Sequence, residues 1–465
     1  MREREFLTDL HNHLPQKVAV LGAARSGIAA ARYFRDRGVR VLISDICGEE
    51  KLSVTLNEAR LNDIEREALG HSERVLNCDL IILSPGIRSE LDILNKARDI
   101  GIPVWSEIEL GFRASNANFL ALTGSTGKST TVSMLSSVLE CSGKETVLAG
   151  NIGLPLIGIS PSLSQETYVV VEVSSFQLET IDTFRPKVSA ILNLMKNHLD
   201  RYDCEEDYYQ AKKRIVENQS GDDVVVLNAD DPKLREWSEQ IKNNISIVWF
   251  GLEPYGEECF YLSEGKIKYR SAGREGEILR LSDMKLKGEH NHLNACAAAA
   301  MAFVCGILPG TIEKGLNSFR GLSHRLEFVE EISGVGFYND SKATTAESII
   351  CAVRAFDTGV HLIAGGRDKG CDFDSAREAV GENVKSIALI GEASERIAKS
   401  WNGLAPMECF TDLESAVEYA FKNASISEQV VFSPGCSSFD MFRNFEQRGE
   451  MFRKAVRNLC GDRVK

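Results

Sequence analysis

Short apolar runs that stop at glycine or a polar residue recur along the chain, most of them followed by a stretch with helical spacing. Residues 17–21 run into Gly22-Ala23-Ala24-Arg25-Ser26-Gly27 and a helical pattern to about Arg37. Residues 39–44 stop at Asp45, and residues 79–83 stop at the turn Ser84-Pro85-Gly86. A second block opens with residues 118–122, a glycine-rich turn and a helix from Lys128. Further strands are predicted at 168–173, 188–193 and 224–227, and an Ala-rich helix beginning near Asn291 closes the block. A third block starts near Ser323, with strands at 336–338, 361–364, 386–390 and 430–433. Strands alternating with helices predict an α/β chain with parallel sheets, whose ligands bind beyond the carboxyl ends of the strands. The expected domains are residues 1–113, 114–321 and 322–465.

Composition narrows the class. At 465 residues the chain is too long for one ordinary core. Its 43% hydrophobic and 26% charged residues are the balance of a soluble globular protein. A formal net charge of −13 leaves no cationic surplus to neutralise a phosphate backbone, so no nucleic-acid partner is expected. Twelve cysteines are scattered without a CxxC pair, which fits reduced thiols. Residues 1–14 lack the apolar core of a signal peptide, and no apolar run is long enough to span a bilayer. A cytoplasmic protein without a membrane span is expected.

The strongest chemical signal is Thr123-Gly124-Ser125-Thr126-Gly127-Lys128-Ser129-Thr130, between a strand and a helix. Small residues let backbone N–H groups close on phosphate oxygens, and the helix N-terminus favours negative charge. Lys128 would reach the β- and γ-phosphates, and the Ser129 hydroxyl would join a Mg²⁺ shell. Leu122 stands where the longer Walker loop has its first glycine, so this is the shortened GxxGK[ST] form. The alternative is a plain glycine-rich turn. Glu172 lies near the end of its strand, where a cation bridging phosphates needs oxygen ligands, unless it is a solvated strand-end acid. His198, in Asn197-His198-Leu199-Asp200-Arg201-Tyr202, follows the strand at 188–193 as a ligand candidate or a structural histidine. Periodicity places Lys212 and Lys213 on the solvated face of a helix over 205–218.

Gly22-x-x-x-x-Gly27 lacks the middle glycine of GxGxxG, which argues against a nicotinamide enzyme. A diphosphate of another nucleotide could rest on that helix N-terminus, and a structural turn is the alternative. In the third block, Asn339-Asp340-Ser341-Lys342-Ala343-Thr344, Gly365-Gly366-Arg367-Asp368-Lys369-Gly370 and residues 433–449 offer hydroxyls and lysines at three strand ends. Together they suit a small dicarboxylate; singly, each reads as a capping turn.

Taken in order, these motifs resemble the Mur ligases from residue 17 to about residue 455, and most specifically the members that add D-glutamate. The resemblance rests on residues 124–130, Glu172-Val173-Ser174-Ser175-Phe176-Gln177-Leu178, His198-Leu199-Asp200-Arg201-Tyr202, residues 339–344 and residues 433–449. It implies a Rossmann-like N-terminal domain for a UDP group, a central P-loop ATPase domain with a mostly parallel sheet, and a C-terminal Rossmann-like domain for the amino acid. It also implies ATP-dependent ligation of D-glutamate to UDP-N-acetylmuramoyl-L-alanine through an acyl phosphate, a cytoplasmic step of peptidoglycan precursor synthesis. A monomer using ATP and two Mg²⁺ ions is the expectation.

Carried over by matching position, Arg25, Ser26, Asp45, Ser84, Gly86 and Asn151 would face the UDP-sugar. Gly124, Ser125, Thr126, Gly127, Lys128, Ser129 and Thr130 would hold the phosphates of ATP. Asn291 and Asn294 would meet the adenine, and Arg325, Asp340 and Lys342 would complete the nucleotide site. Ser129, Glu172, His198 and Lys212 would serve the metals, Lys212 as a carbamate; here the resemblance overrides the surface reading. With Lys128, the last three form the implied catalytic set. Thr344, Lys369, Ser438 and Phe445 would bind D-glutamate. Two stretches depart from the family pattern. Met195-Lys196-Asn197 replaces the usual Thr/Ser, Glu/Asp and Asp before the histidine, and Gly366-Arg367-Asp368-Lys369 replaces Gly-Asp-x-Lys. The rival readings are another Mur-type or folylpolyglutamate-type amide ligase, and an inactive nucleotide-binding paralogue.

Overall fold

The computed structural model describes residue 10 and residues 14–197, 201–241, 245–286, 288–368 and 370–461, so His198 and Lys369 lie outside the described residues. The chain divides into two compact units, Met1–Met284 with Glu289–Phe319, and Lys285–Gly288 with Arg320–Lys465.

The first unit contains two sheets. β1 (Lys17–Leu21), α1 (Arg25–Arg35), β2 (Arg40–Ser44), β3 (Glu65–Glu67), β4 (Leu80–Leu83) and β5 (Val104–Ser106) build the first, a parallel sheet ordered β3-β2-β1-β4-β5. Its strand order reverses between β1 and β4, the kind of switch point at which open α/β sheets bind ligands, and Gly22 and Ser84 follow those two strands. A Cβ on Gly27 would stand 1.8 Å from the Gly22 carbonyl oxygen, so α1 can begin this close to β1 only with glycine. α2 (Glu107–Arg113) leads into the central sheet.

Along that sheet run β6 (Asn118–Thr123), α3 (Lys128–Cys141), β7 (Thr146–Gly150), β8 (Tyr168–Glu172), α4 (Ser175–Leu178), β9 (Val188–Ile191), α5 (Glu205–Lys213), β10 (Val224–Asn228) and β11 (Ser246–Gly251). β12 (Cys259–Ser263), β13 (Lys266–Ser271) and β14 (Arg274–Arg280) extend it, and α6 (Glu289–Val304) follows. The described strands are ordered β14-β13-β12-β11-β10-β9-β6-β8-β7, antiparallel only where β13 meets its neighbours. Three consecutive valines of β8 are fully buried, each contributing about 1.5–3 kcal/mol by leaving water. Such a β-branched run suits a parallel sheet covered on both faces. β6 lies between β9 and β8, so the ends of both flank the turn that follows it.

The second unit contains β15 (Glu327–Ile332), β16 (Val335–Asn339), β17 (Val360–Gly365), β18 (Val384–Ile390), β19 (Met407–Phe410), β20 (Gln429–Phe432) and α7 (Phe445–Gly461). Its order is β15-β16-β20-β17-β18-β19, with only β15 antiparallel. The loops after β16, β20 and β17 therefore stand side by side.

The helix expected over 205–218 is shorter, α5 followed by a 3-10 turn at Arg214–Val216. Among the described residues no helix is long and apolar enough to cross a membrane, and no disulfide forms.

Candidate active site

The turn between β6 and α3 is shaped by two glycines with left-handed backbone, Gly124 (φ +153°) and Gly127 (φ +79°). Gly127 is the N-cap of α3, and a Cβ there would stand 2.3 Å from Asn294 Oδ1 on α6. The loop is thus closed on one side by the helix expected to meet adenine. Lys128 Nζ donates to the carbonyl oxygens of Gly124 at 2.8 Å and Ser125 at 3.0 Å. Ser129 and Thr130 are buried in the first turn of α3. The backbone N–H groups of Ser125 and Thr126 both donate to Asn193 Oδ1, at 3.0 and 2.9 Å. A neutral amide oxygen here engages the donors that a phosphate oxygen would take.

Lys212 is 1% exposed, which overturns the surface reading for this residue. Its Nζ donates to the Gly124 carbonyl oxygen at 2.8 Å and lies 4.4 Å from the centre of the Tyr208 ring. Burial, with the Lys128 charge nearby, pushes this amine down to about 6 against the pull of Glu172. Lys213, its neighbour, stays half-buried and bonds Gln240. Glu172 ends β8 opposite Leu122 of β6 and is 1% exposed. Its Oε1 accepts from Asn151 Nδ2 at 2.8 Å, whereas Oε2 is buried without a hydrogen-bond partner. An anionic oxygen left unsatisfied in the interior is costly unless a cation or donor meets it. Together with the Ser129 hydroxyl, Glu172 fits a hard cation such as Mg²⁺. No group of three acid, histidine or cysteine ligands occurs among the described residues.

In the N-terminal sheet Asp45 follows β2 and accepts from the backbone N–H of Ala23 at 2.6 Å and of Cys47 at 2.8 Å. Burial alone would raise this carboxyl, but those donors outweigh it and hold it below the usual range. Ser84 Oγ donates to the Gly22 carbonyl oxygen at 3.2 Å, joining the loops after β4 and β1. Ser26 is half-buried in the first turn of α1, and Gly86 is exposed in the loop after β4. Arg25 donates to the carbonyl oxygen of Gly153, beside Asn151. Of this group, Asp45 and Ser84 bond the loop after β1, Arg25 bonds the loop after β7, and Asn151 bonds Glu172.

In the second unit Asp340 follows β16, buried, with Ser433 Oγ at 2.9 Å and the Leu326 N–H at 3.1 Å donating to it. Burial raises its carboxyl to about 6 despite both donors. Arg325 is exposed and is flanked by His324 (φ +64°) and Leu326 (φ +42°), both left-handed. Lys342 Nζ lies 5.7 Å from the Phe445 ring, Thr344 is exposed, and Ser438 is 3% exposed in the middle of the loop after β20. Arg448, which spacing did not single out, is fully buried on α7 and donates to Ser341 Oγ, Ser341 O and Cys436 O at 3.1, 2.7 and 3.0 Å. It pins the loops after β16 and β20 to each other. Asn193 also escaped the motif reading. Its signal is positional, an amide just beyond a strand neighbouring the P-loop strand.

With this geometry in hand, the sequence matches three family models: a Mur ligase MurD-like N-terminal domain over residues 16–106, a Mur ligase middle domain over 122–302, and a Mur ligase glutamate ligase domain over 324–436. It is 41% identical over 449 residues to the UDP-N-acetylmuramoylalanine–D-glutamate ligase of Geotalea daltonii, covering 96% of this chain and 98% of that one. The ligase of the same name from Koribacter versatilis is 38% identical over 446 residues, with the same coverages. In fold the chain is similar to a MurF ligase of Thermotoga maritima solved with ADP, at TM-score 0.58 and 16% identity over 98% of this chain and 99% of that one. A P-loop flanked by a buried acid and a buried lysine, three matched domains and full-length relatives agree, and the chain belongs to the Mur ligase family.

Proposed function

We propose that the protein ligates D-glutamate to UDP-N-acetylmuramoyl-L-alanine at the expense of ATP, in the cytoplasm and as a monomer. The chemistry demands two steps because a carboxylate is a poor electrophile. The γ-phosphoryl of ATP passes to the alanyl carboxylate, forming an acyl phosphate and ADP. The amine of D-glutamate then attacks the acyl carbon, phosphate leaves, and the amine's proton is lost to the surroundings.

The observation that carries this reading is the convergence of Lys128 and Lys212 on one carbonyl, that of Gly124, beside the unsatisfied Glu172 oxygen. Lys128 would turn from its loop carbonyls to the β- and γ-phosphates and reduce the repulsion between two anions. Asn193 would release the N–H groups of Ser125 and Thr126 to phosphate oxygens. Glu172, Ser129, His198 and a carbamylated Lys212 would hold Mg²⁺, which when bound draws charge from the transferring phosphoryl group. An uncharged amine adds to CO₂ where an ammonium does not, so the depressed Lys212 suits carbamate formation. Asn291 and Asn294 would contact the adenine, with Arg325, Asp340 and Lys342 completing nucleotide recognition. Arg25, Ser26, Asp45, Ser84, Gly86 and Asn151 would bind the UDP-sugar, and Thr344, Lys369, Ser438 and Phe445 the D-glutamate.

Lys128→Ala should fold, judged by its circular dichroism, and lose ADP release by about 10³-fold, the scale of removing a principal transition-state charge contact. Near-normal ADP release from that folded variant would contradict the P-loop assignment.

A further inference from the structure

Arg201 follows the segment that carries His198, yet its side chain reaches the N-terminal sheet. Nη1 donates to the Pro85 carbonyl oxygen and Nη2 to the Ile87 carbonyl oxygen, both at 2.9 Å. These two carbonyls bracket Gly86, in the loop after β4. Nη2 also donates to Glu179 Oε2 at 2.9 Å, in a pair whose side chains are each only 9% exposed. Glu179 is the C-cap of α4, the short helix that follows β8 and Glu172. Its other oxygen, Oε1, accepts from the Tyr202 hydroxyl at 2.5 Å. The guanidinium lies 4.0 Å from the centre of the Phe176 ring, which stacks on Tyr202. Arg201 is thus held on three sides while its fork grips one loop.

Resting on the function proposed above, we propose that Arg201 is a positioning residue for the UDP-sugar, setting the backbone of residues 84–87 and coupling it to the segment that carries Glu172. A planar guanidinium offers donors at fixed spacing, so two carbonyls two residues apart are held in one orientation. With the Pro85 and Ile87 carbonyls fixed, the peptide groups of Gly86 between them are held in one orientation. An ammonium can supply the charge but not the fork. Arg201 acts through this backbone, and Glu179 acts through Arg201.

The test uses the full-length enzyme and its Arg201→Lys, Arg201→Met and Glu179→Gln variants. Calorimetric affinity for UDP-N-acetylmuramoyl-L-alanine is measured beside the affinity for ATP, steady-state kinetics and thermal midpoints. Arg201→Lys should weaken the UDP-sugar by about 10-fold or more, the cost of a charged hydrogen bond lost from a buried site. Its ATP affinity should stay within about twofold and its kcat at saturating UDP-sugar within about threefold, as expected of uniform binding lost at one substrate. Glu179→Gln should fall between Arg201→Lys and wild type. Should Arg201→Met fail to fold, the lysine variant still carries the test. Wild-type affinity for the UDP-sugar in folded Arg201→Lys, or an equal loss for both ligands, would overturn the inference alone. Failure of the wild-type enzyme to bind the UDP-sugar would overturn the functional reading and the inference with it.

Discussion

Lys212 shows how much a single buried charge can be altered by its surroundings. The unfolded chain holds this proton to the ordinary 10.5, the folded chain only to about 6. Between those limits unfolding takes up a proton, so this lysine weakens the fold most at low pH, and its penalty fades as pH rises toward 10.5. At pH 7 the penalty is on the order of 5 kcal/mol. Lys212→Met should therefore raise the thermal midpoint of unfolding, by a few degrees in a chain of this size, while abolishing ligation. Calorimetry at pH 7 together with an ADP-release assay checks both; an active variant, or one with a lowered midpoint, contradicts the account. The signal for burial was present in the sequence. Tyr208, Ala211, Lys212 and Ile215 follow i, i+3, i+4, i+7 spacing, and all are buried. A lysine on an apolar stripe was the anomaly, masked by the acidic first turn of α5 and by Lys213 beside it.

At the scale of elements, one acid of α2 gathers the loop that leads into β9. Glu109 is fully buried and accepts from the backbone N–H groups of Asp182, Thr183 and Phe184, from the Thr183 hydroxyl and from Arg113. Glu109→Ala leaves those backbone donors without their acceptor and takes from the 5%-exposed Arg113 one of its two carboxylates, Asp182 being the other, which should cost about 3–5 kcal/mol. Denaturant unfolding of the variant measures this; a loss below about 1 kcal/mol would show that water or a neighbour replaces the carboxylate. The apolar strands and the P-loop turn were legible because continuous Val, Ile and Leu runs ending in glycine leave few alternatives. β13 was not, since Lys266-Ile267-Lys268-Tyr269-Arg270 alternates with long cations and resembles a polar connection. Arg201 and Arg448 were also hidden, because their partners are backbone carbonyls far away in the chain, and carbonyls leave no trace in residue types.

At the scale of the whole molecule, the two units carry different parts of the proposed chemistry. The loops after β1 and β4 and the P-loop belong to the first, and the loops after β16, β20 and β17 to the second. In the proposed function, the residues for amino-acid choice are distinct from those for the phosphates. Ser438→Ala should raise the KM for D-glutamate by the equivalent of about 1.5–3 kcal/mol, leaving the constants for ATP and the UDP-sugar unchanged. A rise confined to ATP in the same steady-state series would misplace the glutamate site. The order of domains was readable because each motif follows its own strand. The most direct test of the whole account is mass spectrometry of the reaction product with a panel of amino acids, run beside ADP release. The account predicts one ADP per molecule of UDP-N-acetylmuramoyl-L-alanyl-D-glutamate, formed with D-glutamate and not with L-glutamate, L-lysine or glycine. ADP release without that product, or an equal yield with another amino acid, would contradict it.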